Sequence, residues 1–218
     1  MHPYTIGGSK TKIRLKVIIV LITISIVLSI IMNIGINKLN DSFPTLFEGI
    51  NNIFNHFFFF GFSFGYISMF LVFNVIYYLF NKYIWKFDLV NKFLGIPDFS
   101  GTWEGELHSS YNASQTFNVK MIIKQTWNEI QIISEFSDSR SGSDMAFIDP
   151  DSKHGVMLKF TYANTSYDPS VGQSEHRGQN ELYLGNCNSI NIYGIMEGTY
   201  FNNRGQSGNK GSMKMRRV

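Results

Sequence analysis

The chain has 218 residues, a formal net charge of +3 and 44% hydrophobic residues, which allows one or two ordinary folded domains. The excess of cations lies in the N-terminal flanks and the C-terminal tail, so the charge does not favour a DNA- or RNA-binding protein. Because Cys187 is the only cysteine, the chain forms no intramolecular disulfide, which is typical of a reducing compartment.

Two uncharged, apolar stretches lie in the N-terminal part of the chain, at residues 17–36 and 57–80. About 20 helical residues cover the ~30 Å hydrocarbon core of a bilayer, so each stretch predicts a transmembrane helix. An external loop at 37–56 would join them. A cleaved signal peptide is the alternative for the first stretch, but no small-x-small cleavage site follows it and a second span comes soon after.

Cations flank the two predicted spans unequally. The basic N-terminus at 1–16 carries Lys10, Lys12, Arg14 and Lys16, and the segment after the second span carries Lys82, Lys86 and Lys92. The intervening loop offers Lys38 against Asp41 and Glu48. Since Lys and Arg in short flanks are retained in the cytoplasm, we predict a multi-pass membrane protein with both termini cytoplasmic.

The segment 81–96 mixes aromatic and basic residues, among them Tyr83, Trp85 and Phe87. Such a mixture is typical of a chain that leaves a bilayer through the headgroup region, so we predict a juxtamembrane connector here. Pro97 then begins a soluble domain that covers 97–218.

Beyond Pro97 the apolar residues recur with period two, which is the pattern of strands with one buried and one exposed face. The pattern lies at 103–107, 117–123, 130–132, 156–162, 182–184, 190–192 and 213–215, with a further strand near Ala146. Polar joints separate the strands, for example at 137–144 and 149–155. We predict an all-β domain, a compact antiparallel β-barrel of about eight strands, whose interior is packed or holds one small ligand.

Few residues suggest chemistry. The five histidines are scattered and none pairs with Cys187 at metal-ligand spacing, so no metal site is predicted. No nucleophile elbow or other catalytic pattern is present, so we predict neither an enzyme nor a bound cofactor. In the second span, Gly61 and Gly65 form a small-xxx-small pair that can bring helices together, and Asn74 would face another helix more readily than lipid.

The segment 204–212 is similar in composition to a phosphate cradle, since its glycines expose backbone N–H groups and Arg204 and Lys210 supply charge. Its spacing is not that of a P-loop, and a strand rather than a helix follows it. A flexible hairpin loop is the alternative interpretation.

Several short motifs occur in an order that resembles one family. They are GTWEG at 101–105, SSY at 109–111, QTW at 125–127, SRSGS at 139–143, YAN at 162–164, HRG at 176–178 and GTYFNNRG at 198–205. With the two predicted spans, they resemble the two-transmembrane, β-strand-rich effectors of bacterial cyclic-oligonucleotide antiphage signalling (CBASS). The chain departs from the family's pattern at Asn202 and Asn203, where a Thr-Asp type pair is expected before the arginine.

The resemblance implies a β-barrel that binds a cyclic dinucleotide made by a cognate nucleotidyltransferase (CD-NTase) after phage infection. Binding would drive homo-oligomerisation in the bacterial inner membrane, disruption of that lipid membrane and abortive infection. A cyclic dinucleotide needs cations for two phosphates and flat side chains for two bases. The residues that fit these needs are Tyr111, Trp127, Tyr162, Asn164, His176, Tyr200, Arg204 and Lys210.

Alternatives remain open at this point. Tyr162 continues the buried face of Leu158 and Phe160, and Arg204 could tie its loop to a carboxylate. The domain could also be a membrane-tethered binder of lipid or of a small apolar ligand, or a structural scaffold with a packed barrel.

Overall fold

A computed structural model describes residues 1–45, 64–110, 116–168, 175–185, 194–204 and 208–218. These residues form two compact units. One unit joins Met1–Thr11 to Tyr83–Val218, and we call it the β-domain. The other is Lys12–Lys82, and we call it the helical unit.

Within its described residues, the helical unit contains α1 (Ile13–Ser42) and α2 (Phe64–Lys82). The stretch Gly8–Lys38 is long and apolar enough to cross a membrane, which supports the first predicted span. In α2 the described apolar stretch Met69–Lys82 is shorter than a bilayer requires. Residues 46–63 lie outside the described part of the chain, so the second span stays a prediction.

Helix α1 contacts α2 and has a buried face whose side chains recur every fourth residue. The buried residues are Val17, Leu21, Ser25 and Ser29. The Ser25 hydroxyl donates a hydrogen bond to the carbonyl oxygen of Leu21 at 2.7 Å, so this polar group is satisfied within its own helix. Burial of this face therefore does not leave the Ser25 hydroxyl without a hydrogen-bond partner.

The β-domain contains nine strands within its described residues. They are β1 (His2–Ile6), β2 (Gly101–Ser109), β3 (Thr116–Gln125), β4 (Glu129–Glu135), β5 (Ser139–Ser152), β6 (Gly155–Ser166), β7 (Glu175–Leu184), β8 (Ile195–Asn202) and β9 (Asn209–Arg217). They pair in a closed ring in the order β1-β4-β3-β2-β9-β8-β7-β6-β5. Neighbouring strands are antiparallel except β1 and β5, which are parallel.

Strand β1 corrects the predicted count of about eight strands. The segment 1–16 is predicted as a basic flank, because five residues before a predicted span are too few to reveal a period of two. Paired with its neighbours, however, the segment buries Tyr4 and Ile6, which are 1% and 8% exposed. Tertiary pairing, rather than local pattern, makes this strand.

Two other boundaries differ from the prediction. The expected strand at 190–192 lies outside the described residues, and β8 was missed because Gly198 interrupts its apolar alternation. The polar joints expected at 137–144 and 149–155 fall largely within β5. That strand has register shifts at Ser143/Met145 and Asp149/Ser152, so its short polar residues lie at bulges instead of in loops.

Strands β4 and β5 form a hairpin that forks. They pair with each other only from Glu135↔Arg140 to Ile133↔Gly142. Beyond Ser143 they separate, and β1 lies between them. The Ser143 hydroxyl oxygen marks the branch, since it accepts the backbone N–H of Ile132 at 3.0 Å and lies 2.7 Å from the His2 Nε2 atom. The backbone N–H of Ile132, at the point where β4 and β5 separate, is thereby hydrogen-bonded.

The interior of the ring changes character along its length. The half that includes the β3–β4 turn, which we call the base, is filled by apolar side chains such as Met121, Ile130, Ile148 and Leu182. At the opposite end, the mouth, buried polar residues replace them: Ser134, Ser141, Asn164, Asn180 and Asn202. The dry core therefore occupies the base, and a polar cavity occupies the mouth.

The connector closes the base. It comprises a 3-10 turn at Ile84–Lys86 and the short helix α3 (Asp88–Leu94). Trp85 is fully buried and its ring lies 6.2 Å from the Trp127 ring. The predicted connector is thus packed into the β-domain rather than extended between two domains.

Gln125 links both segments of the β-domain that flank the helical unit. Its Oε1 atom accepts the backbone N–H of Phe99 at 2.8 Å, and its Nε2 atom donates to the carbonyl oxygen of Pro97 at 3.2 Å. The same nitrogen lies 3.4 Å from the hydroxyl oxygen of Tyr4, which in turn donates to the carbonyl oxygen of Trp127 at 3.0 Å. The strand before α1 and the chain after α2 are therefore tied together at the base.

Candidate ligand-binding site

A cavity of about 90 Å³ opens at the mouth of the ring. Its polar lining includes Ser134, Ser141, Asn164, Asn180, Asn202 and Arg204. These residues come from β4, β5, β6, β7, β8 and the chain just after β8.

Strand alternation explains why polar residues point inward here. Along β6 the inward positions are Leu158, Phe160, Tyr162 and Asn164, all of them buried. The inward face thus runs from hydrocarbon through a phenol to an amide within one strand. Burying an amide without a partner costs free energy, so polar residues at inward positions indicate a role other than core packing.

The buried amides differ in how they are satisfied. Asn164 Nδ2 donates to the Ser139 hydroxyl oxygen at 3.4 Å, and Asn202 Oδ1 accepts the backbone N–H of Arg204 at 3.1 Å. Asn180 is 3% exposed, and its Oδ1 atom has no hydrogen-bond partner among the described residues. This oxygen is a buried acceptor in the cavity wall, able to receive an N–H or O–H group from a ligand.

Three ring side chains form one wall of the cavity: Tyr162, His176 and Tyr200. The Tyr162 and His176 rings meet edge to face at 6.5 Å. Gly178 makes room for Tyr162, because a Cβ atom there would lie 2.5 Å from the tyrosine hydroxyl oxygen. Burial raises the pKa of Tyr162 to about 12, partly offset by a hydrogen bond with Asn202, so the phenol is neutral and can donate.

His176 is neutral near pH 7. Burial lowers the pKa of its imidazole below 6.5, and the positive charge of Arg204 lowers it further. Among the described lining residues, Arg204 is the permanent cation and Asp138 the carboxylate. A phosphate would therefore be attracted toward the Arg204 and His176 side of the cavity and away from Asp138.

The structure brings five of the eight predicted ligand residues together. They are Tyr162, Asn164, His176, Tyr200 and Arg204, all in the cavity lining. Tyr111 lies outside the described residues. These five side chains therefore line one cavity, and their role in binding a ligand stays a prediction. Two predicted residues lie elsewhere.

Trp127 and Lys210 are the exceptions. Trp127 lies in the β3–β4 turn at the base, 1% exposed, where its backbone carbonyl accepts the Tyr4 hydroxyl. It packs the core instead of facing the cavity, because the QTW motif closes the dry end of the ring. Lys210 points outward from β9 into a separate surface groove, since alternation on that strand turns it away from Asn209.

The oligomerisation residues predicted in the second span have a less complete description. Gly61 lies outside the described residues, and Gly65 belongs to α2, but nothing is described of its surroundings. Asn74 is exposed on α2 and donates from Nδ2 to the carbonyl oxygen of Phe70 at 2.8 Å. One amide N–H is thus satisfied within its own helix, and the contact of Asn74 with another helix stays a prediction.

Sequence reasoning missed the polar residues of the mouth, chiefly Ser134, Ser141, Asn180 and Asn202. The predicted ligand contacts are mainly cations and aromatic side chains, and apart from Asn164 the Ser and Asn residues are assigned to loops. A usable signal was present, because each of these residues continues the inward alternation of its strand, as Ser134 does after Ile130 and Ile132.

Comparison with known proteins identifies the domain. The family model described as Cap15, cyclic dinucleotide receptor domain, matches residues 94–217. The chain belongs to the Cap15 family. The Cap15 match begins at the end of α3 and includes β2 to β9, so it contains the cavity and Gln125. Strand β1 lies outside the Cap15 match.

A relative supports the same assignment. CD-NTase-associated protein 15 of Yersinia aleksiciae is 28% identical over 159 residues, which cover 71% of this chain and 72% of that protein. The aligned length exceeds that of the Cap15 domain match.

Proposed function

We propose that this chain is a CBASS effector whose β-domain, a closed β-barrel, binds a cyclic dinucleotide in the cavity at its mouth. The observation that carries the proposal is the unpartnered Oδ1 atom of Asn180, buried in the wall of a cavity that belongs to a cyclic dinucleotide receptor domain. A buried acceptor without a partner fits a site that a ligand completes. The ligand is the product of a cognate CD-NTase.

The lining chemistry supports a ligand with two bases and two phosphates. Tyr162 and Tyr200 offer flat faces, and base–aromatic stacking contributes about 1–3 kcal/mol per base. The amides of Asn164, Asn180 and Asn202 offer paired donors and acceptors for base edges. Arg204 offers a charge-assisted hydrogen bond to a phosphate.

The same lining argues against a lipid or an apolar ligand. An acyl chain seated in the cavity would offer no donor to the buried Oδ1 atom of Asn180, and an unmade hydrogen bond of this kind costs about 1–3 kcal/mol. A scaffold with a fully packed barrel is also disfavoured, since a packed interior would place apolar residues at these inward positions.

Binding is tested with the full-length protein in lipid nanodiscs, by calorimetric titration with cyclic di-AMP, cyclic di-GMP, cyclic GMP–AMP and oleate. We expect at least one cyclic dinucleotide to bind and oleate not to bind. Arg204→Ala should weaken binding about tenfold or more, as for other charged hydrogen bonds. Lys210→Ala is the matched control, because its ammonium lies in a groove outside the cavity. Binding of oleate alone would overturn the proposal.

We propose that the helical unit crosses the inner membrane twice, with both termini cytoplasmic. Strand β1 precedes α1, and β2 to β9 follow α2, yet all nine belong to one folded unit. The chain between them must return to the side from which it started, so any crossing by α1 needs a second crossing. This supports a second span at 57–80 even though part of that segment is not described.

The connector fits a position at the membrane surface. Phe87, Leu89 and Phe93 are exposed by 62%, 84% and 79%, which is unusual for large apolar side chains so close together. Lys82 ends α2, and Lys92 lies between the exposed residues of α3. Apolar side chains flanked by lysines are typical of the boundary between headgroups and acyl chains.

We propose that ligand binding promotes homo-oligomerisation through the membrane helices and so disrupts the membrane. Two helices per chain are too few to enclose a pore, so several copies would have to gather. The candidate contact face contains Gly61 and Gly65, with Asn74 further along the helix. A ligand drives assembly only if it binds the assembled form more tightly than the monomer.

The assembly step is tested by replacing both Gly61 and Gly65 with Leu. The double variant should bind the cyclic dinucleotide as the wild type does, but should lose ligand-dependent crosslinking and depolarisation of cells. If the variant depolarises cells normally, the glycine face is not the assembly surface. If the full-length wild type stays monomeric with saturating ligand, the assembly mechanism fails.

A further inference from the structure

Strand β1 is the feature of the molecule that ligand binding alone does not explain. It lies outside the region that matches the Cap15 domain, and it precedes the first helix. Nevertheless it closes the ring, with Tyr4 opposite Ala146, Thr5 opposite Phe147 and Ile6 opposite Ile148.

The N-terminal end of β1, at His2, lies close to the cavity. Ser141 lines the cavity, and Ser143, two residues further along β5, contacts the His2 ring at 2.7 Å. Two residues of extended strand cover about 7 Å. The fork that holds β1 therefore begins within one residue pair of the cavity wall.

The residues that follow β1, as far as Ser9, are held against β5 by hydrogen bonds. The Gly7 N–H donates to the carbonyl oxygen of Ile148 at 2.8 Å, and the Ser9 N–H donates to Asp151 Oδ2 at 3.0 Å. Gly8 adopts a φ of +62° between them, a conformation that favours glycine. Lys12 then begins the helical unit, so little free chain separates the last of these contacts from α1.

The hairpin that holds β1 also lines the cavity. Ser134 and Ser141 lie on the paired section of β4 and β5 and line the cavity, whereas the separated section of the same two strands holds β1. A change in the pairing of β4 with β5 therefore changes the width of the fork. Strands that share a hydrogen-bond ladder cannot shift independently.

We propose that β1 couples the cavity to the membrane: a ligand held by the β4–β5 hairpin alters the fork, and β1 carries that change to α1. This inference rests on the proposed binding of a cyclic dinucleotide at the cavity. It adds a route by which occupancy of the cavity reaches the helices.

Hydrogen–deuterium exchange of the full-length protein in nanodiscs, with and without saturating cyclic dinucleotide from the titration above, tests the coupling. We expect ligand to change exchange at least about threefold in peptides that cover β1, as well as in the strands of the cavity. Protection of the cavity strands with unchanged β1 would overturn the coupling and leave ligand binding intact. No change in either place would overturn both proposals.

A second experiment lengthens the chain between β1 and α1. A Gly-Ser-Gly-Ser insertion between Thr11 and Lys12 leaves the Ser9–Asp151 contact in place but removes the short connection. In a Cys187→Ser background, Gly35→Cys on α1 reports contact between copies, since a side chain there meets no other atom within 4 Å.

Ligand affinity of the insertion variant should stay within about twofold of wild type, while ligand-dependent crosslinking at position 35 should fall about tenfold. The control is the same insertion between Lys153 and His154, in the β5–β6 turn, where crosslinking should persist. Full crosslinking in the Thr11/Lys12 insertion variant would show that β1 does not carry the signal.

Discussion

The side-chain nitrogen of Gln125 lies 3.4 Å from the hydroxyl oxygen of Tyr4, so a residue of β3 contacts the strand that precedes the first helix. The same side chain holds the backbone of Pro97 and Phe99, in the chain that follows the second helix. One amide thus organises the place where the chain leaves the β-domain and the place where it returns.

Gln125→Ala should lower the free energy of unfolding by about 1–3 kcal/mol, because the buried N–H of Phe99 and carbonyl of Pro97 lose their partner. Thermal unfolding of the full-length protein in detergent, followed by near-UV circular dichroism, measures the effect. Gln131→Ala on β4 is the control, since Gln131 is only half-buried. Equal stability of the two variants would mean that Gln125 is dispensable at the base.

Asn180→Leu should affect stability and ligand binding in opposite ways. The Oδ1 atom of Asn180 has no partner among the described residues. Replacing this buried amide by a hydrocarbon of similar volume should therefore leave the free energy of unfolding unchanged or raise it by about 1 kcal/mol. Affinity for the cyclic dinucleotide should fall about tenfold, because a ligand N–H group would lose its acceptor. Asn118→Leu, on the exposed face of β3, should leave affinity unchanged. Tight binding by Asn180→Leu would remove this residue from the site.

His176 should make ligand binding depend on pH. Its pKa is lowered by burial and by Arg204, so the folded, unliganded protein resists protonation below pH 6.5. Its contribution to stability is complete above pH 6.5 and is lost as the pH falls toward the lowered pKa. A bound phosphate favours the imidazolium, so affinity should rise as the pH falls from about 7.5 to about 5.5.

Calorimetric titrations across that pH range measure the effect. His176→Asn should abolish the rise in affinity, whereas His108→Asn, at an exposed site on β2, should retain it. A rise that persists in His176→Asn would assign the proton to another group.

Gly105, in the GTWEG motif, permits close approach of β2 to β9. A Cβ atom at this position would overlap the carbonyl oxygen of Lys214. Gly105→Ala should therefore destabilise the domain by at least about 1–3 kcal/mol. The matched control is Gly142→Ala, where a Cβ atom would meet nothing within 4 Å. Comparable denaturation midpoints for the two variants would contradict this account of the motif.

The proposed membrane topology, with both termini cytoplasmic, can be tested with reporters. A cytoplasm-active reporter fused after Val218 should be active and a periplasm-active reporter silent. The same pair of reporters placed in the predicted external loop at 37–56 should give the reverse result, if the helical unit crosses twice. A periplasm-active fusion after Val218 would exclude the proposed signalling function.

The sequence predicted those parts of the fold that a local pattern encodes. The apolar run of α1 and most of the alternating strands from Trp103 onward can be found from hydropathy alone, although β8 cannot. Tyr4 and Ile6 are buried only because strands far along the chain meet them, so no local period reveals β1. The site was partly predictable for a similar reason. Tyr162 and Arg204 are recognisable from their side-chain chemistry, whereas Asn180 becomes a candidate only when the fold shows that it is buried in the cavity wall.

The late arrival of the partners of β1 sets an order of events during synthesis. The strand is made before its partners, since Asp151, which holds Ser9, lies 142 residues further along the chain. Closing so long a loop carries an entropic cost, and both helices are made before it can close. If the helical unit crosses the membrane twice, as proposed, the fork can accept β1 only in copies whose helices have already brought the chain back to its starting side. Completion of the ring would then act as a checkpoint on membrane insertion, and a misinserted copy would remain an incomplete receptor.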